Sequence, residues 1–462
     1  MNGGYKFRLI DKDMIFDTIV AKTTADGSSA INVIRVSGSD SIPVVNSVFK
    51  GANLLNKPTH SVHYGHVIDN DRTLDEVMVS IFKAPKTFTT EDVVEIACHG
   101  GNFIANEILK LLISKGARMA ENGEFTKRAY LNGRIDLTEA ESIMDLVNAE
   151  SANQLLLATN QLNGDIKQLV HQLQEEILNI VAQIEVNIDY PEYDDVEQLT
   201  NEHVLPQIEL LIKKITTIIS ESETGKVIRD GIKTVIVGKP NVGKSTLLNR
   251  LLKEDKAIVT DISGTTRDLI EAELNLDGII LKLVDTAGIR LTEDIIEQIG
   301  IERTKKAIHS ANLVLLVLNQ AEQLTELDQE LLDLTKHKPR IIIGNKIDLG
   351  KQIELQHESI INISAKNNQG LEELTKKVKA MFIDEKLLKS NHALLSNTRH
   401  IGKFKEVKQA LEDAQKAALA FVPIDFVEID LRKAWSTLGE VTGQSTSDDL
   451  LNNLFSKFCL GK

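Results

Sequence analysis

The spacing of apolar residues changes character at a few definite places along the chain, and each change predicts a different architecture. From about Asp17 to Arg134 short β-rich runs dominate, at Ile31 to Val36, Val62 to Ile68, Glu76 to Phe82 and Val93 to Ala97, with a helical pattern over Phe103 to Ile113. This predicts an α+β domain. Beyond Leu137 the pattern is helical: Leu162, Ile166, Leu169, Leu173, Ile177, Ile180, Ile184 and Ile188 step by threes and fours along one face, and Ile208, Leu211, Ile212, Ile215 and Ile219 form a second stripe. Helical spacing returns after about Lys386, through Ile401, Phe404, Val407, Leu411, Leu431, Trp435 and Leu438, with the lone Trp435 expected in the core. Between the helical blocks, strand-like runs at Ile232 to Val237, Ile279 to Val284, Leu313 to Leu318, Arg340 to Ile343 and Ile360 to Ile363 alternate with helices. That alternation predicts a doubly wound α/β sheet. A compact domain whose termini lie close together can sit inside another, so the flanking helices are expected to form one bundle.

The α/β segment carries the chemistry. Gly238-Lys239-Pro240-Asn241-Val242-Gly243-Lys244-Ser245 fits G-x-x-x-x-G-K-[ST] between a predicted strand and a predicted helix, and Thr246 follows it. Glycines let backbone N–H groups turn onto phosphates, Lys244 reaches the β and γ phosphates, and the Ser245 hydroxyl suits magnesium. Asp285-Thr286-Ala287-Gly288 follows an apolar strand, which brings a carboxylate beside the metal. Asn345-Lys346-Ile347-Asp348 closes another strand, where Asp348 can accept from the N1–H and 2-amino groups of guanine, and Ser364-Ala365-Lys366 suits a backbone clamp on its carbonyl. A buried aspartate left unpaired by adenine discriminates strongly, so the ordered motifs specify GTP. Thr260-Asp261-Ile262-Ser263-Gly264-Thr265-Thr266-Arg267-Asp268 supplies a switch segment, with Thr266 as the second magnesium ligand. Regulatory GTPases place a water-orienting glutamine after D-x-x-G, but here that residue is Ile289. Arg267 reads either as an arginine finger in cis or as a salt bridge to a carboxylate such as Asp268.

Length and charge narrow the partners. At 462 residues the chain should hold about three domains. A net charge of -14 argues against gripping nucleic acid by general electrostatics, so any RNA contact is expected to be local or shared with a partner. The two cysteines, Cys98 and Cys459, are too few for a disulfide framework or metal cluster, and a cytoplasmic location is the simple reading. Apolar runs are too short to span a bilayer, so no membrane association is expected. Met14 opens an apolar run, which leaves Met1 and Met14 as alternative starts.

Gly264-Thr265-Thr266-Arg267-Asp268, Asp285-Thr286-Ala287-Gly288-Ile289-Arg290 and the ending Phe458-Cys459-Leu460-Gly461-Lys462 together resemble the tRNA-modification GTPase family MnmE, also called TrmE. The likeness extends to Phe88-Thr89, Glu91-Asp92-Val93, His99-Gly100-Gly101, Gly123-Glu124-Phe125-Thr126, Leu131 to Leu137 and Thr446 to Leu451, and so covers nearly the whole chain. Thr90 departs from it, standing where a glycine is common.

The resemblance implies a multidomain fold: residues 1–134 an α+β folate-binding-like domain for dimerisation and formyl-tetrahydrofolate, 135–230 the first part of an α-helical bundle, 231–384 an inserted α/β P-loop GTPase domain, and 385–462 the second helical part with its Cys-Leu-Gly-Lys ending. It implies a homodimer that joins the flavoprotein MnmG in a heterotetramer to install a (carboxymethyl)aminomethyl group on the wobble uridine of certain tRNAs. Hydrolysis then drives conformational change. The resemblance further implies potassium in place of an arginine finger, held by Asn241 with Thr260, Ile262 and Thr265, and Glu297 orienting the attacking water. The catalytic set is thus Glu297, Lys244 and Thr266. For 5-formyltetrahydrofolate or a related folate it points to Arg35, Glu95, Arg134 and Lys462. The alternatives are a GTP-dependent assembly switch, as in ribosome maturation, and a one-carbon transferase regulated by its G domain.

Overall fold

The computed structural model describes residues 17–461 apart from 28, 190–200, 255–269, 285–304, 356–357, 385–386, 388–392 and 421. The chain up to Met144, with the segment from Thr442 onward, forms one compact unit, and Asp145–Val441 forms a second.

The first unit comprises β1 (Ile19–Lys22), β2 (Ile31–Ser37), α1 (Ser41–Val48), β3 (Phe49–Lys50), β4 (Ser61–Asp69), β5 (Arg72–Phe82), β6 (Val93–His99), α2 (Asn102–Ser114), β7 (Arg118–Met119), α3 (Glu124–Leu131) and α4 (Leu137–Val147). The strands form one sheet in the order β3-β4-β5-β6-β2-β1-β7. Side chains alternate across a strand. Ile34, Val36, Val79, Ile81, Val94 and Ile96 therefore face α1 and α2 and build a single core with Val45, Ile108 and Leu112. Arg35, directly opposite Glu95, falls on the other face. The segment after Thr442 adds a helix, Asp448–Phe455, whose Leu451 and Phe455 pack with Phe458 on Leu137 and Ala140.

The second unit opens with α5 (Ala152–Leu162), α6 (Asp165–Asp189) and α7 (Asn201–Asp230). It continues through β8 (Ile232–Val237), α8 (Lys244–Glu254), β9 (Ile270–Leu276), β10 (Ile279–Val284), β11 (Leu313–Asn319), α9 (Glu326–Thr335), β12 (Arg340–Asn345), β13 (Ile360–Asn362) and α10 (Leu371–Phe382), and closes with α11 (Thr398–Leu419) and α12 (Ile424–Thr442). Helices on both sides of the α/β segment share one core: Ile166, Leu173, Ile177, Ile180 and Ile184 pack with Ile208, Leu211 and Ile215, and with Ile401, Phe404, Val407, Leu411, Leu431 and Leu438. Trp435 is partly buried against it. Ile188, the last residue of the first stripe, has its side chain outside the described residues.

The six strands lie in the order β13-β12-β11-β8-β10-β9, parallel except for the edge strand β9. Central β11 is buried throughout: Leu313, Leu315 and Val317 enter the core on one face of the sheet and Val314, Leu316 and Leu318 the core on the other. A continuous apolar run is what a strand covered on both faces requires.

Strands β9 and β10 form a hairpin whose two-residue turn places Asp277 at φ 49° and Gly278 at φ 93°. Asp-Gly suits this turn because both positions need positive φ. The turn meets the loop before α5: Asn153 Nδ2 donates to the Gly278 carbonyl at 3.2 Å and Asn275 Nδ2 to that of Glu150 at 3.2 Å. A hydrogen bond to Glu273, then burial and the like charge, push Glu150 up to about 7. A Cβ on Gly278 would lie 2.5 Å from Asn153 Nδ2. Gly278→Ala should therefore cost about 1 to 2 kcal/mol, combining left-handed strain with this clash. Thermal melts should show the cost shrinking in an Asn153→Ala background; an equal cost in both backgrounds would exclude the clash.

Candidate functional site

Buried strand β8 ends at Val237 and helix α8 begins at Lys244, so the chain turns sharply over the residues between them. Gly243 sits at φ 95°, where a Cβ would lie 2.3 Å from Asn345 Nδ2, and only glycine tolerates both conditions. Asn241 takes φ 62° on the exposed rim of the loop. Lys244 folds back, its Nζ donating to the carbonyls of Gly238 and Lys239 at 2.8 Å each. Burial lowers its pKa below the ordinary lysine value. Ser245 and Thr246 occupy the first turn of α8, whose amino terminus favours anions.

Asn345, at the end of β12 and almost fully buried, joins two loops. Its Nδ2 donates to the Val242 carbonyl at 2.8 Å and its Oδ1 accepts from the Ala365 N–H at 3.1 Å. Lys346 follows at φ 66°, and Asp348 stands in the short 3₁₀ turn Ile347–Leu349. The buried Ser364 hydroxyl donates to Asp348 Oδ1 at 2.6 Å, while the Ser364 N–H is held by the Gln369 carbonyl. A phosphate-type loop and a base-type loop are thus tied together through one amide side chain. Lys366 extends the second loop from the buried Ala365.

Thr260, Asp261, Ile262, Ser263, Gly264, Thr265, Thr266, Arg267, Asp285, Thr286, Ala287, Gly288, Ile289 and Glu297 lie outside the described residues, as does Lys462. Strand β10 ends at Val284, immediately before Asp285, and β9 begins just after the Thr260 to Asp268 segment.

A cavity of about 590 Å³ lies in the first unit, bounded by Arg35, Glu95, Phe88, Thr90, Asn132 and Arg134 among others. Glu95 Oε1 accepts from Arg35 Nε at 2.9 Å, and the Arg35 guanidinium also lies 5.4 Å from the Phe88 ring centre. Arg134 stacks on the same ring at 5.0 Å and donates to the Phe88 carbonyl. Asn132 Nδ2 donates to the Thr89 carbonyl at 2.7 Å. Thr90 adopts φ 63°, which explains why glycine suits this position. Three of the four residues expected at a folate site therefore line one wall. Cys98 is buried in the neighbouring core, and burial pushes its thiol up to about 11, whereas Cys459 is exposed.

Sequence reasoning missed two sets of side chains. Lys239 pairs with Glu322 and Asp328, and Arg128 is buried among Asp17, Glu91 and Glu124. The first had a local signal: Thr325-x-x-Asp328 forms a capping box at the start of α9.

A phosphate loop tied to a guanine-type base loop, on a parallel sheet inserted in a helical bundle, defines a GTPase of the P-loop class. Residues 18–134 match the model of the GTP-binding protein TrmE N-terminus, and 137–459 that of the MnmE helical domain. The chain is 49% identical over 460 residues to the tRNA modification GTPase MnmE of Enterococcus faecalis, covering 97% of this chain and 99% of that one. It is 50% identical over 452 residues to that of Streptococcus pyogenes serotype M4, with the same coverage. Among solved structures, the G domain of the T. maritima FeoB iron transporter is similar at 26% identity, over 32% of this chain and 97% of that one, with a TM-score of 0.24. The chain belongs to the tRNA modification GTPase MnmE family.

Proposed function

We propose that this GTPase uses magnesium and potassium, and that hydrolysis drives a conformational change which, with a flavoprotein of the MnmG kind, supports installation of the (carboxymethyl)aminomethyl group at C5 of the wobble uridine of certain tRNAs. The observation that carries the nucleotide reading is Asn345, whose amide joins the loop at Val242 to the loop at Ala365 and so makes one continuous site. In this reading Lys244 and the N–H groups from Asn241 to Thr246 take the phosphates, and Ser245 and Thr266 hold magnesium. Asp348 with Ser364, Ala365 and Lys366 reads guanine.

Asn241 supplies the side-chain ligand to potassium, with Thr260, Ile262 and Thr265, and its exposed position on the loop supports this reading. When bound, the metals draw charge from the phosphates where a finger arginine otherwise would. Glu297 orients the water. Support for a conformational driver comes from the β9–β10 hairpin: one end continues in sequence into the Thr260 to Asp268 and Asp285 to Gly288 segments, and the other is held to the helical region by hydrogen bonds of Asn153 to Gly278 and of Asn275 to Glu150.

The cavity beside Arg35 and Arg134 has the size of a small-molecule site, which supports a folate there. Arg35, Arg134 and Lys462 suit carboxylates, and Glu95 suits the amino edge of a pterin. Support for a homodimer through the first unit comes from Val62, Tyr64 and Met78, apolar side chains left exposed on adjoining β4 and β5. In this reading the domains run over 1–134, 135–230, 231–384 and 385–462, and the protein works in the cytoplasm. Among the described residues no helix is long and apolar enough to cross a membrane.

The test is steady-state GTP hydrolysis in potassium against sodium at equal ionic strength, with the wild type and Asn241→Ala. A stimulation of roughly tenfold or more in potassium, abolished by the substitution, is expected for a cation stabilising developing charge. Equal rates in both salts would overturn the potassium reading.

A further inference from the structure

The second residue of the phosphate loop is held from both ends. Lys239 Nζ lies 3.0 Å from Glu322 Oε2 and 3.2 Å from Asp328 Oδ2, with its side chain largely buried. Its carbonyl accepts from Lys244 Nζ at 2.8 Å. The acidic end of this clamp is itself fixed. Asp328 is 2% exposed, and its Oδ2 also accepts from the N–H and hydroxyl of Thr325 at 3.0 and 2.7 Å, while its buried Oδ1 has no hydrogen-bond partner among the described residues. Glu322 is held by Asn319 Nδ2, at the end of β11.

We propose that Lys239 is a positioning residue for GTP hydrolysis: anchored by Asp328 and Glu322, it fixes its own carbonyl, one of the two that with Gly238 hold the Lys244 ammonium in place before phosphate arrives. The inference rests on the reading of Lys244 as the phosphate-binding lysine. The physical reason is preorganisation. A long flexible lysine loses rotamer entropy when it meets its target, and a fixed acceptor near that position removes part of the loss beforehand. Its neighbour Pro240 has no N–H to donate, and the Lys239 side chain ties this limb to Asp328 on α9 and to Glu322, which Asn319 at the end of β11 holds.

Removing Lys239 alone would strand the buried Asp328 charge, which is costly. The working variant is therefore Lys239→Met with Asp328→Asn, which removes both charges together, compared with Lys239→Arg, which keeps the cation. Each is assayed as the full-length protein, well below its melting temperature as established by circular dichroism. The double variant should lower kcat for GTP about tenfold with KM within about threefold, because the base end and the loop N–H groups are untouched. Lys239→Arg should stay within about threefold of wild type. A merely structural clamp would lower the melting temperature without moving kcat, so a double variant hydrolysing GTP within about twofold of wild type overturns the inference. Lys244→Ala separates the two levels: if it leaves hydrolysis intact, the reading of Lys244 fails and the inference with it. If it abolishes hydrolysis while the double variant is unaffected, the inference fails alone.

Discussion

Replacing Asp348 by asparagine is expected to weaken GTP and GDP binding roughly 10²- to 10⁴-fold and to shift preference to xanthosine nucleotides. A carboxylate can accept from both the N1–H and the 2-amino group of guanine. Asparagine keeps one acceptor but presents an N–H group where the second acceptor stood, facing the guanine amino group donor to donor. Two charge-assisted bonds worth roughly 1.5 to 3 kcal/mol each are lost or inverted. Xanthine carries an oxygen at the same ring position and would accept from the new amide. The substitution should not disturb the site otherwise. Ser364 Oγ donates to Oδ1, an atom asparagine retains, and the strut through Asn345 does not involve residue 348. Competitive displacement of a fluorescent nucleotide by GDP and by XDP measures both effects. A variant that still binds GDP within about threefold of wild type would show that the guanine edge is read elsewhere.

What the sequence disclosed about this fold follows from how local each signal is. The stripe from Ile166 to Ile184 and the run Leu313 to Leu318 were legible because their periods, near 3.6 for the helix and unbroken for a strand covered on both faces, report the burial they meet. The phosphate loop was legible because its chemistry is contained in eight consecutive residues. Strand β9 was overlooked although Ile270, Ala272, Leu274 and Leu276 alternate with Glu271, Glu273 and Asn275 and lead into Asp277-Gly278, a hairpin signal in its own right.

Contacts between distant residues were of another kind. The amide of Asn345 reaching Val242, Lys239 reaching Asp328 and Arg35 lying opposite Glu95 depend on sheet order and register, which no single segment encodes. The resemblance named Arg35, Glu95 and Arg134 as residues of one site. It did not foresee that Arg35 and Glu95 neutralise each other there, so that a ligand must compete with an existing ion pair for either group. The same dependence on tertiary structure explains Gly123-Glu124-Phe125-Thr126: Glu124 and Arg128 are partners one helical turn apart, and Phe125 lies beneath Arg35 with ring centre and guanidinium 5.6 Å apart.

Arg128→Ala is expected to destabilise the first unit by about 3 to 5 kcal/mol at neutral pH, the range for an arginine deleted from a buried ion-pair network. The Arg128 side chain is only 3% exposed, and its guanidinium meets Asp17 Oδ1 at 2.6 Å, Glu124 Oε1 at 3.0 Å and Glu91 Oε1 at 3.2 Å. Burial alone would raise Asp17 and Glu124, but hydrogen bonds and charge from Arg118 and Arg128 outweigh it and hold both below their ordinary values. Carboxyls depressed in the folded state contribute stability above their unfolded values, near 3.8 and 4.5, and lose it as pH falls through the lower folded values. The variant retains Arg118 but leaves at least one carboxylate buried without its cation, so its penalty should be largest at neutral pH and shrink as acid protonates that group. Urea unfolding of wild type and variant between neutral pH and about pH 4 follows the gap directly. Because α3 runs from Glu124 to Leu131 and leads into Asn132 and Arg134 on the cavity wall, the affinity for the folate proposed above should fall in the same variant, and Arg128→Lys, which cannot fork to three carboxylates, should recover only part of either loss. A penalty independent of pH would mean that the lost stability comes from packing around the guanidinium and not from its charge.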